Sequence, residues 1–336
     1  MIRNDRGKFV LAAVLVLIIG LAEAVCAQTA SNSLPNPYRP IENWAKLPVG
    51  RTWGSPAGLG FDHSGNLWVL ERCGGNTCAG RPEAPVLQFD PSGRLLKSFG
   101  AGMMIFPHGL FVDKDQNVWV TDADGKDGKG QQVIEFSPEG KVLMTLGKKG
   151  VAGDGPDTFN RPSAVVVAPN GDIFVADGHG GDSNARIVKF SKEGKFIKAW
   201  GKKGSAPGEF NEPHAIAMDS KGRIYVADRG NNRIQIFDQD GKFLKQWTQF
   251  GRPSGIFIDR KGLIYVTDNT DTRLPEWKKG IRIGKIKDGV VTAFIPEPVQ
   301  HVKSGPTGME SVTVDARGNI YVSDVGRRMI VKYVKQ

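Results

Sequence analysis

The chain has 336 residues, a net charge of +10 and 40% hydrophobic residues. That length admits one large domain or two ordinary ones, and beyond the N-terminal stretch no segment is apolar enough to cross a membrane. The lysines fall mostly in repeated turns, such as Lys192, Lys195 and Lys242; solvated outer strands explain them, so nucleic acid is not expected as a partner.

Arg3, Arg6 and Lys8 form a positive stretch, followed by an apolar run from Phe9 to Leu21 and by Ala24-Val25-Cys26-Ala27. This is the layout of an export signal over residues 1–27, cut after Ala27. The run is short for a bilayer span of about 20 residues. No stable membrane span is therefore expected after cleavage, and the protein is expected to be secreted or periplasmic. Residues 28–37, with Pro35 and Pro37, read as a flexible leader. Cleavage removes Cys26 and leaves Cys73 and Cys78, which flank Gly74-Gly75-Asn76-Thr77. In an oxidising compartment this pair is expected to form a local disulfide.

From residue 38 onward the chain repeats itself, most plainly in two adjacent copies. Phe159-Asn160-Arg161-Pro162 leads into Ser163 to Val167, the turn Pro169-Asn170-Gly171-Asp172, Ile173 to Asp177, Arg186 to Phe190, and Phe196 to Trp200. Phe210-Asn211-Glu212-Pro213 opens the next copy, which runs the same course to Trp247. Each copy holds four short β-rich runs separated by glycine-bearing turns, the pattern of meandering hairpins. Four strands in a period of roughly 40 to 55 residues mark propeller blades. Earlier copies carry Leu67 to Leu70 and Val118 to Asp122; later ones carry Leu263 to Asp268 and Ile320 to Asp324. The fold expected for residues 38–336 is therefore all-β, a single six-bladed β-propeller. The last copy lacks one strand. Ile41-Glu42-Asn43-Trp44-Ala45 resembles the fourth-strand ending Lys198-Ala199-Trp200, so the N-terminal segment is expected to close the ring there.

Superposing the copies isolates the residue that opens the innermost strand: Ala57, His108, Ser163, His214, Ser254 and Glu310 in blades one to six. Alternate blades carry metal-binding side chains, and the others carry small ones. Alternate members of a six-bladed ring lie about 120° apart. His108, His214 and Glu310 are therefore expected to converge on the axis as three ligands of a metal with an open position. The competing reading makes the two histidines strand caps that bond nearby carbonyls, and Glu310 an exposed carboxylate. The loops after each second strand face one end of the ring. Their repeated aspartates, Asp122, Asp177, Asp228, Asp268 and Asp324, read as structural turn formers. Two residues there are less regular. Arg72, beside the expected disulfide, suits a substrate carboxylate, and His179, in a glycine-rich loop, suits proton transfer. The alternative leaves both on mobile surface loops.

Gly208-Glu209-Phe210-Asn211-Glu212-Pro213 and Asn232-Arg233-Ile234-Gln235-Ile236-Phe237 resemble NHL repeats. With Phe106-Pro107-His108-Gly109-Leu110, Val175-Ala176-Asp177-Gly178, Arg186 to Ser191 and Pro213-His214-Ala215-Ile216-Ala217, they resemble the peptidyl-α-hydroxyglycine α-amidating lyases. The resemblance implies a six-bladed propeller with zinc on its axis. It also implies a peptide or small-molecule substrate, cleaved from a hydroxyglycine to an amide and glyoxylate. Two of the family's zinc histidines match His108 and His214, and the third falls at Glu310. The family's calcium-binding Asp falls at Ser311, so calcium is not carried over. The catalytic Arg matches Arg72, and the catalytic Tyr falls at His179. Two other readings stay open: a non-catalytic NHL propeller that binds a protein, peptide or glycan, and a hydrolase similar to the lactonases with calcium on its axis. The two histidines favour a borderline metal over calcium, but fold alone does not choose among these. The sequence carries no signal for an oligomeric state.

Overall fold

The computed structural model describes residues 31–269, 276–298 and 308–336. The expected signal of residues 1–27, and His301, lie outside them. Among the described residues, six antiparallel four-stranded sheets each meander outward from a central axis. The innermost strands are Pro56–Phe61, Pro107–Val112, Pro162–Val167, Pro213–Met218, Pro253–Ile258 and Met309–Val314. All six residues isolated by superposing the repeats are the second residue of their strand. Met309 pairs with Asp324 as Pro107 pairs with Asp122, so Glu310 keeps the register of His108.

The second strand of each blade is buried on both faces because a neighbouring blade packs on either side; Ile224–Asp228 is buried throughout. Runs of Val, Ile and aromatic residues suit that position. Each wedge between blades holds its own apolar cluster, such as Phe174, Ile187 and Phe210 against Ile216, Ile224 and Phe237 between blades three and four. The hairpin from first to second strand is shaped by an aspartate. Asp219 Oδ1 accepts N–H groups from Lys221 and Arg223, and its Oδ2 accepts the Tyr225 hydroxyl at 3.2 Å. Asp259 and Asp315 repeat the arrangement with Tyr265 and Tyr321. These are the Asx turns of the fold.

The N-terminal segment closes the ring, though not with the residues expected. The strand is Tyr38–Ile41, paired with Met329–Lys335, and not the stretch Ile41 to Ala45. Asn43 adopts φ 54° and ends the extended run. Trp44 then packs edge-on to Tyr321, with ring centroids 4.9 Å apart, and Lys46 N–H donates to Gly93 O in blade one. Just before the strand, Ser31 and Asn32 accept hydrogen bonds from Arg282, and Pro35 O accepts from Phe294 N–H. The described part of the expected leader thus lies against blade five. Among the described residues no helix is long and apolar enough to cross a membrane.

Candidate metal centre

His108 and His214 hold equivalent positions in blades two and four, and the next blade's backbone fixes each ring. His108 Nδ1 lies 2.7 Å from Ser163 O, and His214 Nδ1 lies 2.9 Å from Ser254 O. A carbonyl can only accept, so each Nδ1 carries a proton, and in a neutral ring Nε2 is then left with a bare lone pair. Gly109 allows the first of these contacts, because a Cβ there would stand 2.6 Å from Ser163 O. Both Nε2 atoms lie 3.2 Å from Glu310 Oε1, and all three residues are buried. The carbonyl bonds anticipated for strand caps are present. They are also the bonds that orient an imidazole to offer its opposite nitrogen to a ligand.

Among the described residues neither Nε2 has a hydrogen-bond partner; in a neutral ring its lone pair facing a carboxylate oxygen is one acceptor facing another. His179 joins this group. Its Nδ1 is buried and likewise unpartnered, and its ring centroid is 4.2 Å from that of His108 and 5.1 Å from that of His214. One donor atom from each of His108, His179, His214 and Glu310 lies within 4.8 Å of the others. Burial drives His108 down to about 4 and His179 well below the ordinary imidazole value, so both rings are neutral at pH 7. Burial opposes charge on Glu310, and the Arg229 guanidinium, 3.7 Å from Oε2, favours it. Metal–nitrogen bonds of about 2.1 Å place two donors of one ion at most about 4.2 Å apart. The donor atoms would have to draw slightly closer together to share one ion. Imidazole nitrogen with one carboxylate is a donor set for a divalent first-row transition metal.

The loop before His179 is held to its course by Gly178, which adopts φ 154° and where a Cβ would collide with the Asn184 carbonyl. Arg72 stands beside the Cys73–Cys78 disulfide, whose Cα atoms are 5.0 Å apart. Its guanidinium stacks 3.8 Å over the Phe106 ring and donates to Pro107 O at 3.2 Å and to Asn76 Oδ1 at 2.8 Å. Burial lowers it to about 10, which leaves it cationic at neutral pH. Phe106 lies between this cation and the imidazoles, 5.7 Å from His179 and 6.4 Å from His108 between centroids.

Arg229 was not singled out in the sequence, where it is one more residue after a repeated Asp. In the fold it is buried in a single 3-10 turn, Arg229–Asn231, and donates to Glu212 Oε1 at 2.5 Å. The repeated aspartates are structural, but by a different device from the one expected. Asp177 accepts Asn160 N–H and Arg186 Nε, and Asp228 accepts Asn211 N–H and Arg233 Nε. Each carboxylate ties the connection entering its blade to the blade's third strand, because burial on both sides demands a charged partner. Below the donor cluster, the innermost strands enclose an axial cavity of about 410 Å³, its wall formed by His108, His214 and Glu310 together with apolar residues such as Leu110, Val165 and Ile216.

The NHL repeat model matches residues 210–237. NHL repeat-containing protein 3 of Homo sapiens is 31% identical over 308 residues, 88% of this chain and 84% of that protein. The chain belongs to the NHL repeat-containing protein family. This NHL propeller is also similar to peptidyl-alpha-hydroxyglycine alpha-amidating lyase 1 of Drosophila melanogaster, 33% identical over 223 residues, which is 58% of this chain and 40% of that protein. The likeness to amidating lyases read from the repeats is thereby borne out, over less than half of that relative's length. A gluconolactonase from Xanthomonas campestris superposes with a TM-score of 0.61 at 16% identity, covering 90% of this chain and 91% of its own. That is a likeness of fold.

Proposed function

We propose that this NHL propeller is a metal-dependent lyase of the amidating-lyase type, cleaving a peptidyl or N-acyl α-hydroxyglycine to an amide and glyoxylate. The observation that carries the reading is the convergence of His108 Nε2 and His214 Nε2 on Glu310 Oε1, each at 3.2 Å and neither nitrogen with a hydrogen-bond partner among the described residues. These three residues would hold a divalent transition metal, zinc by the resemblance. Such an ion, when bound, supplies Lewis acidity to a substrate oxygen. Calcium suits the site poorly, because it prefers oxygen donors and the neighbour of Glu310 is Ser311.

The chain's own residues bind and orient the substrate. Arg72, braced by Phe106 and Asn76, and Arg229, braced by Glu212, offer guanidinium groups to the substrate carboxylate. In the reaction the substrate C–N bond breaks and the amide nitrogen gains a proton. The hydroxyl loses its proton as the aldehyde of glyoxylate forms. The Cys73–Cys78 disulfide supports a secreted or periplasmic setting.

The test is metal analysis of the purified, dialysed protein together with incubation with α-hydroxyhippurate. Stoichiometric transition metal and equimolar benzamide and glyoxylate are expected, and His108→Ala should lose both while keeping its β-sheet circular dichroism. A second reading is favoured by the relative that spans most of the chain, whose name states a repeat and no activity. On that reading the propeller is a non-catalytic module binding a protein, peptide or glycan. A folded, metal-free protein that releases no glyoxylate would end the lyase reading and favour the module; opening of a lactone supplied in a parallel incubation would point to the hydrolase.

A further inference from the structure

We propose that His179 is a fourth protein ligand, so that the centre is a three-imidazole, one-carboxylate site and not a three-ligand one; the proposal rests on the reading that the centre holds a metal. Three observations carry it. His179 Nδ1 is buried without a hydrogen-bond partner and belongs to the group whose donor atoms lie within 4.8 Å of one another. Its ring packs against both other imidazoles, 4.2 Å and 5.1 Å between centroids. Its loop is tied down on both sides: Arg161 Nη1 donates to Gly180 O at 3.4 Å, and the Asn184 side chain donates to Asp177 Oδ2 at 2.7 Å and Gly153 O at 2.8 Å. A protonated Nδ1 would face no acceptor there, and a bare one would face no donor. A cation shared by all four residues satisfies every one of these atoms at once.

The assignment changes the kind of ion that can work. Four protein donors complete a tetrahedral zinc and leave no position for substrate. An ion that takes five or six ligands, such as Mn²⁺, Fe²⁺ or Co²⁺, keeps positions open with the same four donors. One carboxylate against a divalent ion leaves the centre positive. With Arg72 and Arg229 nearby, it suits an anionic substrate. A nitrogen bound to metal holds no proton, so His179 is a ligand on this assignment and not the proton carrier that its loop suggested.

The experiment loads metal-free protein with Co²⁺ and counts coordinated imidazoles by X-ray absorption. Chelator competition then gives the Co²⁺ dissociation constant for the parent, His179→Ala and His63→Ala, the last altering an exposed turn residue. Three imidazoles are expected in the parent and two in His179→Ala. That variant should bind about tenfold more weakly or worse, with His63→Ala unchanged. Two imidazoles in the parent, or an unaltered constant in His179→Ala, would overturn the proposal and leave the metal-centre reading standing. A parent that takes up no cobalt would overturn both. The imidazole count in the parent decides the matter even if a variant fails to fold.

Discussion

Asp122 occupies the same place as Asp177 and Asp228 but lacks their partner. It accepts N–H groups from Ile105 at 2.8 Å and Phe106 at 2.5 Å, just ahead of His108. In blades three and four an arginine, Arg186 or Arg233, pairs with the aspartate from the facing strand. In blade two the residue opposite Asp122 is Gln132, whose amide donates to Gly147 O. Burial therefore pushes the Asp122 carboxyl up to about 7, against the two N–H bonds. Its folded value lies above its unfolded one. The stability it contributes is full below the ordinary aspartate value and is lost as pH rises through 7. Raising pH from 5 to 8 should lower the unfolding midpoint, and Asp122→Asn should remove a few degrees of that slope. Thermal melts of both proteins across that range check this; parallel slopes would refute it. Individual residues were unevenly legible. Glu310 could be found because a strand register fixes where its side chain starts. Arg229 and the true position of His179 could not, because a 3-10 turn and one glycine torsion, invisible in spacing, turn them toward the axis.

The innermost strands do two jobs, lining the axis and bracing their neighbours' side chains. Ser163 O receives both the His108 Nδ1–H and the Thr121 hydroxyl, while Thr121 Oγ1 accepts Gly109 N–H at 2.7 Å. Close approach of blades two and three at this point depends on the absent side chain of Gly109. Gly109→Ala would force the strands apart and should cost about 1–3 kcal/mol. It should also weaken metal binding by loosening His108. Urea denaturation and a metal titration on the same variant measure both effects, and a change in neither would show that the strands have room. The blades themselves were legible because strands buried on both faces must be continuous apolar runs. The closing strand was misplaced by a few residues because Trp44 imitates the fourth-strand Trp200. In the fold it serves instead as a plug between Tyr321 and Phe89.

At the scale of the ring, cohesion comes from six apolar wedges, and the one between blades five and six includes Tyr38 from the closing strand. Removing residues through Ile41 would uncover Tyr333 and the open edge of Met329–Lys335. The truncated protein should melt well below the parent and scatter light at lower temperature. Equal melting temperatures would show that the ring holds without that strand. The blade sealed in this way is also the one that supplies Glu310, the sole carboxylate of the donor cluster among the described residues. An ion gripped by blades two, three, four and six would act as a clasp across the ring, and its release and the fraying of the terminal seam would be linked equilibria.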